Sequence, residues 1–360
     1  MQRNFNGKSE NLVYRLCLQE FNKKKKTAPS FQNADWSRVL KIVPPELFGL
    51  VRARIQSITS LSASDSLAMN RREITLWKNR LLLLNCLKEV SKNFRKKRID
   101  FILLKGFALE KRIYAPNVRF FSDLDILIPE KDALRAEQAL KALNYTQGKD
   151  TYPPCYYAKY KQHLVFSKKG KTNIKVDLHT ELAEKYSGFE IRNEELFEKA
   201  NSELINRMKI KVLSNEHQLL HLCLHFIYVH PYGSDIKSSY EIAMFIKKNQ
   251  INWNEFTRLC VRTKTAAIVY QAFSFSQGFF NFQAPKASLT ALKKAANTTE
   301  ISLLRFFSPE NKVSTRLLGY KTRKWIIKFI LAKGIERKNL ILQDVFYSWK
   351  YQQKRTRLVK

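Results

Sequence analysis

The spacing of apolar residues divides the chain into a helical first part, a mixed middle part and a helical last part. In residues 73–95, apolar side chains recur every three or four positions, which predicts a helix with one buried face. These positions are Ile74, Trp77, Leu81, Leu84, Leu87, Val90 and Phe94. Most of the chain up to residue 97 is predicted to be helical.

The pattern changes at Arg98, where short apolar runs of strand length begin to alternate with helical segments. Gly106 and Pro129 end the first two runs, and Asp132 is expected to cap the helix that follows the second. A hairpin turn is predicted at 168–171. The predicted strands are 99–104, 124–128, 163–167, 173–179 and 209–213, and the predicted helices are 107–114 and 132–143.

From Ser214, which is a predicted N-cap, the pattern is helical again. The predicted helices are 215–229, 234–248, 253–262 and 266–279, with further helical segments after them. The sequence therefore predicts an α+β fold in three parts. These are a helical N-terminal region at 1–97, a core with a small mixed sheet at 98–213, and a helical C-terminal region at 214–360.

Two carboxylates lie at the start of the predicted strand 124–128. Asp123 and Asp125 are two residues apart, so on a strand they point to the same face. Neighbouring carboxylates repel each other, and burying them without a partner is unfavourable, so a bound cation is the usual resolution. Mg²⁺ prefers such oxygen ligands and accepts substrate phosphates as further ligands. The alternative is a solvated strand end, which is common for an isolated pair of this kind.

Further residues favour a phosphate-handling site. Asp177 interrupts an otherwise apolar strand and is the best candidate for a third carboxylate, with His179 close behind it. Gly106 at a strand-to-helix turn allows a phosphate to approach the backbone, and Lys105 can add a positive charge. Arg119 can hold a triphosphate through its planar guanidinium, or it can be an ordinary surface arginine.

The charge of the chain is strongly positive, with 65 Lys and Arg against 31 Asp and Glu and a formal net charge of +34. Such a charge attracts polyanions, which include nucleotides, nucleic acid and anionic membrane surfaces. An equally supported interpretation is that the excess positive charge lies on solvated helix faces and binds no partner. The sequence shows no convincing membrane span and no signal peptide, so a cytoplasmic location is expected. The five scattered cysteines favour a reducing compartment and not a disulfide framework.

Two other patterns are better explained by packing than by function. His217, His221 and His225 share one helix face, a spacing that can bind zinc, but half-buried histidines among leucines are favoured. Residues 325–331 combine apolar and basic side chains, which can indicate contact with a membrane surface or a polyanion. An amphipathic helix that packs on the domain with its lysines outward is favoured instead.

The order of these motifs resembles a known family. Leu104-Lys105-Gly106, then Arg119, then Ser122-Asp123-Leu124-Asp125, and later Val176-Asp177-Leu178-His179, are similar to the uncharacterised nucleotidyltransferase family of the DNA polymerase β superfamily. The similarity covers roughly residues 99–248. Three departures stand out. The wider superfamily usually has two small residues where this chain has Lys105-Gly106. The gap from Gly106 to Asp123 is longer than in the typical superfamily pattern, and Glu241 stands where the family more often has Asp.

The resemblance implies a polymerase β-like nucleotidyltransferase core with a small mixed sheet. It implies that Asp123, Asp125 and Asp177 hold Mg²⁺ or Mn²⁺ and carry catalysis. Nucleotide-binding residues would be Lys105, Gly106, Arg119 and Ser122, and His179 would be an active-site neighbour.

The predicted reaction is transfer of an NMP, with AMP as one candidate, from an NTP to an acceptor hydroxyl or phosphate, with release of pyrophosphate. The acceptor would be a small molecule, a sugar or a peptide. One alternative is an enzyme of the same superfamily that acts on nucleic acid, which the charge favours. The other is a binding protein that kept the fold and lost activity, against which the three intact aspartates argue.

Overall fold

The computed structural model describes residues 8–22, 34–58, 61–147, 163–168, 174–233, 235–332 and 334–358. The protein has an α+β architecture, as predicted, in which a seven-stranded mixed sheet is combined with many helices. The strands are β1 (Ile102–Leu103), β2 (Asp123–Leu127), β3 (Tyr145–Gln147), β4 (His163–Lys168), β5 (Ile174–His179), β6 (Asn201–Ile205) and β7 (Met208–Val212). Their order in the sheet is β3-β4-β5-β2-β1-β7-β6.

The helices lie before, between and after these strands. The helices before and between the strands in the chain are α1 (Lys8–Asn22), α2 (Trp36–Ile42), α3 (Pro45–Ile58), α4 (Ala63–Lys96), α5 (Gly106–Ile113), α6 (Ala133–Ala142) and α7 (Asn193–Glu198). Those that follow it are α8 (Asn215–Leu224), α9 (Asp235–Lys248), α10 (Trp253–Arg262), α11 (Ala266–Gln277), α12 (Lys286–Ala295), α13 (Thr298–Phe306), α14 (Lys312–Leu317), α15 (Tyr320–Leu331) and α16 (Ile335–Leu358). Short 3₁₀ turns occupy Glu130–Asp132 and Lys185–Ser187, and a π-helix, His225–Val229, continues α8.

Strand β2 lies at the centre of the sheet. It pairs in parallel with β5 and antiparallel with β1, and β1 in turn pairs in parallel with β7. The register places Asp125 opposite Asp177, and Leu127 opposite His179. Paired residues of adjacent strands point to the same face, so this register brings the predicted acidic residues to one side of the sheet.

The two faces of the sheet carry different cores. Leu124 and Ile126 point into a cluster that includes Val90 and Phe94 of α4, so α4 covers this face. Leu127 belongs to a second, smaller cluster on the opposite face. Because side chains alternate along a strand, Asp123 and Asp125 share the face of Leu127.

Most of the predicted elements are present, with shifted ends. The predicted strand 99–104 is reduced to β1, and the predicted helix 73–95 is part of the longer, 34-residue α4, which begins ten residues earlier, at Ala63. Strands β3 and β6 were not predicted. β6 and β7 are joined by Asn206 and Arg207, both at positive φ, a two-residue turn without the usual glycine signal. The predicted turn at 168–171 lies, beyond Lys168, outside the described residues.

Two local predictions about side chains have different outcomes. Ser214 does cap α8, since its hydroxyl accepts a hydrogen bond from the backbone N–H of His217. Asp132 precedes α6 as predicted but makes no capping hydrogen bond, and that part of the prediction is wrong. Its carboxylate instead accepts a hydrogen bond from Arg135, 2.6 Å away.

Helix α15 packs on the domain as predicted, with Ile327 and Leu331 buried. The expectation that its lysines face outward is wrong for Lys328, whose side chain is only 1% exposed. Lys328 donates a hydrogen bond to the buried carboxylate of Glu184 and lies 5.3 Å from the ring centroid of Tyr228. A buried carboxylate therefore draws one lysine of the helix inward.

The largest hydrophobic cluster joins the first helices to the helices after the sheet; it includes Leu16, Phe48, Leu220, Phe245 and Phe273. The three-part division at 1–97, 98–213 and 214–360 stays a prediction. Within the described ranges, no helix is both long enough and apolar enough to cross a membrane.

Candidate active site

Three side chains from two parallel strands converge on one face of the sheet, where β2 and β5 pair. Asp125 on β2 and Asp177 on β5 are register partners, and His179 follows two residues later on β5. The Nε2 atom of His179 lies 3.1 Å from Oδ1 of Asp125. One ligand atom from each of the three residues lies within 4.8 Å of the others, which is a spacing that can hold a metal ion.

Asp123 lies on the same face of β2 and lines the same cavity, but it is outside the group of three that meets the 4.8 Å spacing. Its half-buried carboxyl is close enough to Asp125 and Lys105 to feel their charges. Burial and the neighbouring Asp125 raise the pKa of Asp123 above its usual value. The three predicted aspartates thus share one face of the sheet. Asp125 and Asp177 belong to the group with metal-binding spacing, and Asp123 lies beside that group.

The electrostatics of the site favour a cation. Burial, together with Asp125 and Asp123, raises the pKa of Asp177 to about 7. Burial would also raise the pKa of Asp125, but the charge of Lys105 and the hydrogen bond from His179 outweigh it and hold that pKa well below its usual range. The cluster therefore contains an ionised Asp125 beside two carboxyls that repel it and each other.

The residues present fit a divalent cation. Oδ1 of Asp177 is buried and has no hydrogen-bond partner among the described residues. A buried acceptor without a partner is unfavourable, and a cation at this position would satisfy it. Carboxylate oxygens are the ligands that Mg²⁺ and Mn²⁺ prefer, whereas imidazole suits other transition metals better.

The turn from β1 into α5 faces the acids. Lys105 and Gly106 both have positive φ, 43° and 36°, which makes a sharp bend immediately before the helix begins. The Nζ atom of Lys105 lies 3.0 Å from Oδ1 of Asp125. No side chain caps α5, so its first backbone N–H groups are available to an anion.

Arg119 is buried and already has a partner. Its guanidinium forms an ion pair with Glu241 of α9, with Nη2 3.0 Å from Oε1, and Tyr114 donates a hydrogen bond to the same oxygen. The guanidinium also lies 5.6 Å from the ring centroid of Phe121. Its Nη1 atom is buried without a hydrogen-bond partner within the described part of the chain, and Arg119 lines the cavity. The surface-arginine alternative is therefore wrong.

A cavity of about 820 Å³ opens in front of the acids. The predicted residues Lys105, Gly106, Arg119, Ser122 and His179 all line it, together with the three aspartates. The sequence did not predict the opposite wall, which comes from α3, the end of α8, the π-helix, α9 and α15. That wall includes Glu46, His221, His225, His230, Lys237, Glu241, Tyr320 and Lys324.

The histidine helix has a mixed outcome. His217 is buried and hydrogen-bonded to the Ser214 hydroxyl, as expected for a packed histidine. His221 and His225 line the cavity, with their ring centroids 6.3 Å apart. Over the part of the chain that the structure describes, Asp125, Asp177 and His179 are the only group with metal-binding spacing, so the zinc alternative gains no support. The π-helix that begins at His225 is a feature often found at functional sites.

Comparison with known sequences now decides the family. Residues 32–281 match the family described as uncharacterised nucleotidyltransferases. The chain belongs to this family. It is therefore a nucleotidyltransferase, and the matched segment contains every residue of the site predicted from the sequence.

Solved structures similar to this nucleotidyltransferase are distant. One is an antigenic nucleotidyltransferase-like protein from Paracoccidioides brasiliensis, with 17% identity, a TM-score of 0.37, and coverage of 59% of this chain and 97% of that one. Another is the lincosamide antibiotic adenylyltransferase LnuA with lincomycin bound, with 14% identity, a TM-score of 0.31, and coverage of 47% and 96%. No curated protein matches the chain.

Gly106 tests the turn of this nucleotidyltransferase. Position 106 has a φ of +36°, which strains an alanine, and the added Cβ of Gly106→Ala would lie 3.3 Å from the Phe121 ring. We therefore expect the free energy of unfolding to fall by about 2 kcal/mol. The control is Gly319→Ala, where φ is −63° and an added methyl meets no atom within 4 Å. We expect the free energy of unfolding of Gly319→Ala to fall by about 0.5 kcal/mol, which is the effect of alanine at a helix N-cap. Urea unfolding of both variants measures the difference, and equal losses would contradict the strained turn.

Proposed function

We propose that this enzyme transfers an NMP, with AMP as the first candidate, from an NTP to a hydroxyl or phosphate of a small acceptor molecule, using Mg²⁺ or Mn²⁺. The observation that carries the proposal is the convergence of Asp125, Asp177 and His179 beside the Lys105-Gly106 turn. A carboxylate cluster next to a helix N-terminus and a lysine is suited to the phosphates of a nucleotide.

Asp123, Asp125 and Asp177 would hold the metal. When bound, the cation would neutralise charge on the phosphates and favour deprotonation of the acceptor. His179 contacts Oδ1 of Asp125, so its role is to fix the orientation of that carboxylate. A site in which the aspartates bind the metal and His179 only orients one of them suits a metal that prefers oxygen ligands.

The remaining residues would bind the triphosphate. Lys105 contacts Asp125, and its flexible side chain can turn the ammonium toward a phosphate oxygen. The first N–H groups of α5 add donors at Gly106, and Ser122 adds an exposed hydroxyl on the cavity wall. Arg119 would use its unpartnered Nη1, with Glu241 holding the guanidinium in place.

In the reaction, the acceptor oxygen would form a bond to the α-phosphorus while the bond from that phosphorus to the bridging oxygen of the β-phosphate breaks. Pyrophosphate leaves with the bonding electron pair. Asp177 would also take the proton of an acceptor hydroxyl, since its carboxyl lines the cavity beside the other two aspartates.

The cavity favours a small acceptor. Its volume of about 820 Å³ lies in the range typical of small-molecule sites, and helices α3, α9 and α15 contribute to its walls. The second candidate is a nucleic-acid acceptor, which the net charge of +34 favours. Labelling of added RNA ends in preference to any small molecule would promote the second candidate over the first.

The test is incubation of the purified enzyme with each NTP, with Mg²⁺ or Mn²⁺ and a cell extract, followed by mass spectrometry for an added nucleotide. We expect Asp177→Asn to lower transfer at least about 100-fold, because the variant removes a negative charge and a proton acceptor. Glu181→Gln, two residues beyond His179 and outside the cavity lining, is the control and should retain activity. Full activity of Asp177→Asn would overturn the assignment.

A further inference from the structure

A second concave surface lies on the outer side of α4, next to β7. Two clefts of about 380 and 390 Å³ meet there, and they share Ser91 and Arg95 as lining residues. We call this surface the basic face and define it by Ser91 and the cations Lys88, Lys92, Arg95, Lys96 and Lys209.

The basic face has little negative charge to offset its cations. The one acidic residue that lines the clefts is Asp100, and it pairs with Lys211 at 2.5 Å. None of the five cations of the basic face forms an ion pair with a carboxylate of the described ranges. All five are exposed, so their charges face solvent and are available to an anion.

Ser91 gives the basic face a feature that an ordinary solvated lysine surface lacks. The residue is 5% exposed and lines both clefts, yet its hydroxyl has no hydrogen-bond partner in the part of the chain that is described. An unpaired buried hydroxyl is unfavourable. An anionic oxygen in the clefts would accept its proton in a hydrogen bond while the surrounding cations neutralise the charge.

We propose that the basic face binds the phosphodiester backbone of a single-stranded nucleic acid. Lys88, Lys92 and Lys96 are spaced four residues apart, so they follow one side of α4 at a rise of about 6 Å per step. Such a row can neutralise successive phosphates of one strand. Half-buried Phe101 lines one cleft and provides an aromatic side chain on which a base can stack.

A membrane surface fits these observations less well. Membrane-surface helices present large apolar side chains on the face that enters the lipid. No exposed large hydrophobic residue in the described ranges lines either cleft. The concave shape also suits a strand better than a flat headgroup layer.

The basic face is separate from the transfer site. Helix α4 covers the face of the sheet opposite the one that carries Asp125. Binding of a strand there therefore does not depend on the proposed reaction, and loss of that binding is expected to leave NMP transfer to a small acceptor unchanged.

The test measures fluorescence polarisation of a labelled 20-nucleotide single-stranded RNA of mixed sequence, with the full chain, between 50 and 200 mM salt. The variant replaces Lys88, Lys92 and Arg95 with Gln. A control with the same change of charge replaces Lys286, Lys293 and Lys294 of α12, which are exposed and outside the clefts. We expect the first variant to weaken binding at least about tenfold and to lower the log–log salt slope by about 2, and the control to change affinity less than about twofold.

Ser91→Ala is the second variant, because it removes no charge. We expect it to weaken RNA binding about fivefold without lowering thermal stability, since it removes a hydroxyl that has no partner in the described fold. Equal losses of affinity in the two triple variants, or no RNA binding by the wild type, would overturn the proposal. Binding to phosphatidylserine vesicles that depends on Lys88, Lys92 and Arg95, with no binding of RNA, would overturn it in favour of a membrane surface.

Discussion

Replacing Asp125 with Asn is expected to lower the rate of nucleotidyl transfer at least about 1,000-fold. Asp125 is the carboxylate around which the site is organised, since both Lys105 and His179 contact its Oδ1. The substitution keeps the shape of the side chain but removes the negative charge that would bind the metal. Lys105, which is proposed to hold the triphosphate, also loses the negative charge that it pairs with.

The measurement is the initial rate of NMP transfer at saturating NTP and metal. Asp132→Asn is the matched control, because Asp132 is also a buried carboxylate that pairs with a cation, Arg135, but lies outside the cavity. It should keep most of the activity. A rate for Asp125→Asn within tenfold of the wild type would mean that the reaction takes place elsewhere.

Replacing Glu241 with Ala is expected to lower the free energy of unfolding by about 3–5 kcal/mol, because it leaves the charge of Arg119 buried without its partner. Both side chains are at most 5% exposed, and Tyr114 also loses its hydrogen-bond acceptor. The same variant should weaken NTP binding, since Glu241 holds the guanidinium that points toward the cavity. An Arg119→Met, Glu241→Leu double variant should recover most of the stability but not the binding of NTP.

Urea unfolding gives the stability change, and the control is Glu89→Ala. Glu89 pairs with Lys168 at 2.8 Å on the surface, where an ion pair contributes about 0–1 kcal/mol. A loss below about 1 kcal/mol for Glu241→Ala would contradict the buried pair. Failure of the double variant to regain stability would show that the loss arises from packing and not from the unpaired charge.

The arrangement of the acids on the sheet was predictable from the sequence. Residues two apart on a strand share a face, so the spacing of Asp123 and Asp125 is enough to place them together. The apolar run around Asp177 marked a second buried strand, and the parallel pairing of β5 with β2 makes the two strands neighbours. The roles of these residues in metal binding and catalysis stay predictions until they are measured.

The partners of these residues were not predictable. Glu241 is 122 positions from Arg119, and its role was doubtful from sequence because the family more often has Asp there. Local patterns give the period of a helix but not which helix faces which, so the cavity wall formed by α3, α9 and α15 could not be derived. The inward turn of Lys328 was missed for the same reason, since it depends on Glu184, 144 positions away.

The most direct test of the central claim follows the two ends of a labelled NTP. The enzyme is incubated with ATP that is radiolabelled at either the α- or the γ-phosphate, together with the metal and the acceptor found by mass spectrometry. If the site transfers a nucleotide, the acceptor gains the α label and the γ label appears in pyrophosphate. Transfer of the γ label to the acceptor, or transfer of neither, would contradict the account.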